Sequence, residues 1–429
     1  MDANKSRKLS LMLVLLFQLP DDYGFGSSLV FPVTGNVHPL GYFAVSLSIG
    51  NQPRPFTLDI DTGSDLTWVP CDIACTGCTV PPGPRYKPVQ GSIVYYEDPI
   101  CSAIQGFTET TNGRTDRLCH FDRSYVDGSS VRGLLVRDIF YGRITGGTLP
   151  PSSLTFGCVY DIHRGQHSPS PTGVLALGNG AANICSQLGV ENVIGHCYSS
   201  KGGGSMFIGN DAVPSSGVSW VPMSQNTGDK YYESGPADLL FNGNPTGQTD
   251  LYVIFDSGST YTYFNSAVYA AIIDQLSKDP NGKPITQVPD PALPVCWEHA
   301  ELSGVHFESF TLSFTGTRNA QLQLTLENYP TISENGNACL GILNGTEEGL
   351  QERNVIGDIS MLDKLVIYDN EKKQIGWASA NCNQQIGWTS ANCNEQIGWT
   401  SANCNTCCSL NIFFHLQLML LLCLLHNIK

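Results

Sequence analysis

The chain has 429 residues, a formal net charge of −15, 41% apolar residues and only 14% charged residues. That length exceeds one ordinary core and predicts two domains, and the apolar content excludes a disordered polymer. The acidic balance argues against a nucleic-acid partner.

Basic Lys5, Arg7 and Lys8 precede an apolar run over residues 9–19, the pattern of a secretory signal peptide, with cleavage expected between Pro20 and Ser28. The run is too short to cross a bilayer core of about 30 Å. The 16 cysteines include Cys71, Cys75, Cys78, Cys101 and Cys119 in one Gly- and Pro-rich stretch. In a secreted chain that density predicts a disulfide framework, whose connectivity the sequence leaves open. The Cys-x-x-Cys pairs at 75–78 and 404–407 lie far apart, which argues against a zinc site.

Short β-branched and apolar runs at 42–49, 56–60, 153–156, 206–208, 252–255, 311–314 and 322–326 read as strands. The clearest helical pattern spans residues 266–276. The fold class is therefore all-β with few short helices.

An internal echo organises the body. Residues 56–64 (FTLDIDTGS) resemble residues 251–259 (LYVIFDSGS), and their aspartates, Asp61 and Asp256, lie 195 positions apart. Each is trailed by an apolar-apolar-Gly segment, at Leu175–Gly178 and Val355–Gly357. This predicts duplicated lobes over residues 28–225 and 226–382, with residues 1–27 as signal peptide and short prosegment. An apolar strand ending in Asp-(Thr/Ser)-Gly-Ser places a carboxylate on a tight turn, where glycine lets the backbone bend and the hydroxyls bond the carboxylate. One such turn is common. Two let a pair of carboxylates face each other and share a proton, one taking a proton from water while the other polarises a carbonyl. Such chemistry needs no metal, cofactor or Ser or Cys nucleophile.

The chain resembles pepsin-type aspartic proteases of the A1 family, and more closely their plant nucellin-like branch. The matching stretches are residues 31–37, 58–68, 195–197, 288–291 and 336–345. The resemblance implies a bilobal acid-protease fold with the cleft between two β-lobes, endopeptidase activity at acid pH and no cofactor. It implies that Asp61 and Asp256 are the catalytic pair, and that Thr62 and Ser257 brace the two loops. Gly63 and Gly258 would shape the turns, and Ser64 and Ser259 would bond the carboxylates. Tyr125, in Tyr125-Val126-Asp127-Gly128-Ser129, would be the tyrosine of a substrate-covering flap, with Trp68 bonded to it. Taken alone, Tyr125 reads as an ordinary half-buried strand tyrosine and Trp68 as core. Asp59 and Asp65 are expected to face solvent or cap the turn. Asn344-Gly345-Thr346 is a glycosylation acceptor by pattern. The expected partner is a polypeptide substrate met by a monomer. The alternative function is a catalytically silent binding or inhibitor protein on the same fold.

Near the end, residues 374–383, 385–394 and 396–405 repeat almost identically. The first copy reads as the end of the globular fold, and residues 383–405 as a surplus tandem extension. The apolar tail within 406–429 is open to three readings: a removed glycolipid-anchor signal, a short membrane anchor, or a tail without a role.

Overall fold

Short β-branched and apolar runs make strands the dominant element, some alternating in burial and some buried on both faces. Tyr42–Ile49, for example, turns Phe43, Val45, Leu47 and Ile49 inward while Ser46 and Ser48 face out. The computed structural model describes residues 28–73, 84–105, 117–144, 147–163, 173–180, 182–224, 231–277, 285–298, 309–317, 320–324 and 330–383. Apart from Pro214–Ser216 these belong to one compact unit.

Among the described residues one sheet gathers 15 strands. Its centre runs Leu29–Asn36, Tyr42–Ile49, Phe56–Asp61 and Gly173–Ala176, and its far end is the hairpin of His120–Ser124 with Ser130–Tyr141. A second sheet holds Glu233–Phe241, Leu251–Phe255, Asn354–Ile356 and Thr262–Phe264 in that order, with partners on each side. These two sheets are the two lobes. After the second sheet the described chain returns to the first. Lys364–Asp369 returns to pair antiparallel with Val193–Tyr198, and Gln374–Ser379 then lies between Lys364–Asp369 and Ser219–Pro222.

The expected strands occur, most with ends shifted by a few residues. The run 153–156 is part of the longer Ser152–His163, and residues 325–326 of the expected 322–326 lie outside the described residues. The expected helix is Ser266–Leu276. Asn265 caps that helix, its Oδ1 accepting from the N–H groups of Ala267 and Val268 at 3.1 Å each. Val268, Ile272 and Leu276 recur at i, i+4 and i+8 and form its buried stripe.

Four disulfides staple the described residues: Cys71–Cys158, Cys101–Cys119, Cys197–Cys382 and Cys296–Cys339. Each closes a loop and contributes about 2–4 kcal/mol by the usual account. Cys185 is a buried free thiol. No described helix is long and apolar enough to cross a membrane. The expectations for residues 1–27, Cys75, Cys78 and the tail beyond residue 383 lie outside the described residues.

Candidate active site

The first site loop grows out of the strand Phe56–Asp61, which pairs in parallel with Gly173–Ala176. The Leu177 N–H donates to the Asp61 carbonyl at 2.7 Å and the Gly178 N–H to the Ser64 carbonyl at 2.8 Å, so the apolar-apolar-Gly segment fixes the turn from beneath. The Asp61 carboxylate accepts from the Gly63 N–H at 2.8 Å and the Ser64 hydroxyl at 2.5 Å.

The second loop repeats this. Leu251–Phe255 pairs in parallel with Asn354–Ile356. The Asp256 N–H donates to the Ile356 carbonyl at 3.0 Å and the Asp358 N–H to the Ser259 carbonyl at 2.8 Å. The Asp256 carboxylate accepts from the Gly258 N–H and the Ser259 hydroxyl, both at 2.9 Å. Chain echo has become structural echo, with the same donors on each carboxylate.

Reciprocal hydrogen bonds lock the loops together. The Thr62 hydroxyl donates to the Phe255 carbonyl at 3.1 Å and accepts from the Ser257 N–H at 2.9 Å. The Ser257 hydroxyl donates to the Ile60 carbonyl at 2.8 Å and accepts from the Thr62 N–H at 3.2 Å. Both side chains are buried, so losing one would strand a neighbour unpaired. The glycines admit the opposite carboxylate: a Cβ on Gly63 would lie 2.6 Å from Asp256 Oδ1, and one on Gly258 would lie 2.3 Å from Asp61 Oδ1. Any larger residue would drive the two carboxylates out of place.

Burial is the main force raising the pKa of both carboxyls. Asp61 is pushed up to about 7, first by burial and then by the nearby Asp256 charge, against the Ser64 and Gly63 hydrogen bonds. Asp256 is raised by burial, against hydrogen bonds from Gly258, Ser259, Gly63 and Asp61. Two such groups side by side hold a proton between them below neutrality, and the proton belongs to the pair.

Tyr125 follows the strand His120–Ser124 and starts a turn closed by its N–H to the Ser129 carbonyl at 2.9 Å. Gly128 takes φ +80°, a conformation few side chains tolerate. The Trp68 indole N–H donates to the Tyr125 hydroxyl at 2.7 Å. That hydroxyl is raised by burial and then by the Asp61 charge, which puts it in reach of the first carboxylate's field. The structure therefore brings Asp61, Asp256, Thr62, Gly63, Ser64, Ser257, Gly258 and Ser259 together, with Tyr125 and its partner Trp68 close enough to feel the Asp61 charge, while Gly128 sits exposed in the Tyr125 turn. Asn344 stands apart, at the end of the strand Ile342–Asn344, with its Nδ2 donating to Glu347 at 2.9 Å.

The expectation for Asp59 needs correction. Strand alternation puts Asp59 on the same face as Asp61. Its Oδ1 is closed off from solvent and has no hydrogen-bond partner among the described residues. Burial, then the Asp61 and Asp256 charges, raises it well above the ordinary carboxylate range. Asp65 instead pairs with Arg123 at 3.6 Å. Another carboxyl near the site, the buried Asp358, was not expected from the sequence; it too is raised by burial, then by Asp59, Asp256 and Asp61. Its signal was present in the sequence, since it directly follows the second apolar-apolar-Gly segment.

Comparison with known proteins follows the same outline. The profile described as "Xylanase inhibitor N-terminal" matches residues 43–210 and the one described as "Xylanase inhibitor C-terminal" matches residues 236–379. An aspartic proteinase of rice (Oryza sativa subsp. japonica) is 38% identical over 401 residues, covering 88% of this chain and 95% of that protein. Aspartic proteinase nepenthesin-1 of Nepenthes gracilis is 26% identical, covering 80% of this chain and 78% of that protein. Among solved structures, basic 7S globulin from soybean superposes with a TM-score of 0.64 at 15% identity, covering 85% of this chain and 100% of that one. That last likeness concerns the fold alone.

Proposed function

The chain belongs to the plant pepsin-like A1 family of aspartic proteases, and from that premise we propose that it is an endopeptidase that hydrolyses peptide bonds with a water held between Asp61 and Asp256. The observation that carries the reading is the pair of matched loops: each carboxylate has the same two donors, each rests on the opposite glycine, and burial raises both.

In the proposed reaction the ionised member of the pair takes a proton from the water as its oxygen attacks the scissile carbonyl carbon. The protonated member gives its proton to the carbonyl oxygen. The tetrahedral diol then collapses as a proton passes to the departing amine nitrogen. No covalent link to the protein forms. An extended peptide would lie along the cleft as an added strand, with Tyr125 and Trp68 covering it. The disulfides and the pattern at the N-terminus support a secretory route, and Asn344 is the proposed glycosylation site.

The test is cleavage of a denatured protein from acid to neutral pH by the wild type and by Asp256→Asn. Cleavage should be strong in acid, fall as pH rises through about 7, where the pair loses its shared proton, and vanish in the variant. A second reading, a binding or inhibitor protein, is favoured by the family profiles' own description. Folded protein that cleaves nothing at any pH would select it.

A further inference from the structure

The three tandem repeats play no part in the proposed chemistry, and the slot filled by the first copy explains what the others could do. Gln374–Ser379 lies between two antiparallel neighbours, and Cys382 closes the disulfide to Cys197. The slot is demanding. Ile375 is fully buried, and a Cβ on Gly376 would lie 2.5 Å from the Trp220 ring. Trp377 stacks on Phe255, the residue before Asp256, and its indole N–H donates to the Gln321 carbonyl at 3.0 Å.

The later copies meet every one of these demands. Ile386, Gly387, Trp388 and Cys393 stand in the second copy where the slot needs them, and Ile397, Gly398, Trp399 and Cys404 stand in the third. Within the repeat the single change is Ala378 to Thr389 or Thr400. Ala378 is only half-buried, and a β-branched residue suits a strand.

We propose that the second and third copies compete with the first for this strand slot, so that Cys197 pairs with Cys393 or Cys404 in place of Cys382. The swap is a thiol–disulfide exchange. The Cys393 thiolate attacks Cys197 Sγ, the Cys197–Cys393 bond forms as Cys197–Cys382 breaks, and Cys382 leaves as a thiolate that takes up a proton. There is no net oxidation.

The first copy holds the advantage. Its tight turn has Asp369 accepting from the Lys372 N–H and ammonium, at 2.9 and 3.1 Å, while Met223 N–H donates to the Lys373 carbonyl. The later copies follow Gln384 and Glu395 instead of that lysine pair. Placing the second copy also lengthens the connecting loop by one repeat, a roughly sevenfold handicap from loop closure. The Cys382 form is therefore the majority species, with the others in reserve.

The inference is independent of the proposed catalysis and is read without an activity assay. Full-length wild type and Cys382→Ala are reduced, unfolded and refolded with reduced and oxidised glutathione, the oxidised form accepting the electrons of any new disulfide. Peptides containing Cys197 are then mapped by mass spectrometry without reduction. In Cys382→Ala, Cys197–Cys393 should become the main linkage. Adding Trp388→Asp should shift it to Cys404, because the aspartate cannot enter the slot. A free Cys197 in Cys382→Ala would overturn the proposal, as would failure of that variant to refold where wild type does. Linkage that stays at Cys393 after Trp388→Asp would also overturn it, since the cysteine would then reach without the strand.

Discussion

The Asp61 and Asp256 loops share one backbone scheme and differ in their surroundings. Two residues before Asp61 stands Asp59; two residues before Asp256 stands Ile254. Seven residues after Asp61 stands Trp68, bonded to Tyr125; seven after Asp256 stands Tyr263. Asp61 is buried and Asp256 only half-buried. The matched donors hold the two carboxylates alike, while the half-buried Asp59 and the Tyr125 turn bonded to Trp68 belong to the first loop's side. Equal scaffolding with unequal surroundings is what the proposed reaction would use to divide acid and base roles between two identical groups.

The most drastic way to break the comparison is to remove one carboxylate. Asp61→Asn should lower kcat by on the order of 10⁴-fold while leaving the fold intact, because the isosteric amide keeps the loop but not the shared proton. Near-wild-type turnover would show that the loops are not a pair.

Next comes the brace between the loops. Ser257→Ala leaves the buried Ile60 carbonyl without its donor, and denaturant unfolding should record a loss of about 1–3 kcal/mol. Unchanged stability would make the brace incidental.

A smaller effect sharpens the asymmetry. Tyr125→Phe removes the acceptor of the Trp68 indole N–H and should lower kcat/KM roughly fivefold, about 1 kcal/mol, with Tm nearly unchanged. An equal fall in Tm would assign the pair to the core.

Asp59 contributes to the pH dependence, together with the other raised carboxyls. Its folded pKa lies above its unfolded value of about 3.9, so the folded state binds the extra proton. The stability this adds is fully present below that value and is lost as pH rises toward the folded pKa. Wild-type Tm should therefore fall with rising pH above about 4, and Asp59→Asn should flatten the slope. Parallel Tm curves for the two proteins would remove Asp59 from the account.

The site was more legible than its setting. The two Asp-(Thr/Ser)-Gly-Ser turns and their trailing apolar-apolar-Gly segments are local patterns with local causes, and they led directly to the paired loops. Asp59 misled because flanking polar residues usually cap turns, whereas strand period two put it beside Asp61. The return of Lys364–Asp369 and Gln374–Ser379 to the first sheet was not readable, because strand pairing between distant segments depends on the assembled core. Cysteine spacing likewise announced a framework without its partners: Cys71 passes over its neighbours to reach Cys158.

The most direct test of the proposed water-activating pair is hydrolysis in water enriched in heavy oxygen, with the protein's mass followed during turnover. The account predicts one labelled oxygen in each new carboxyl terminus and an unchanged protein mass throughout. A transient acyl adduct on the protein, or intact substrate at acid pH with the protein folded, would contradict it.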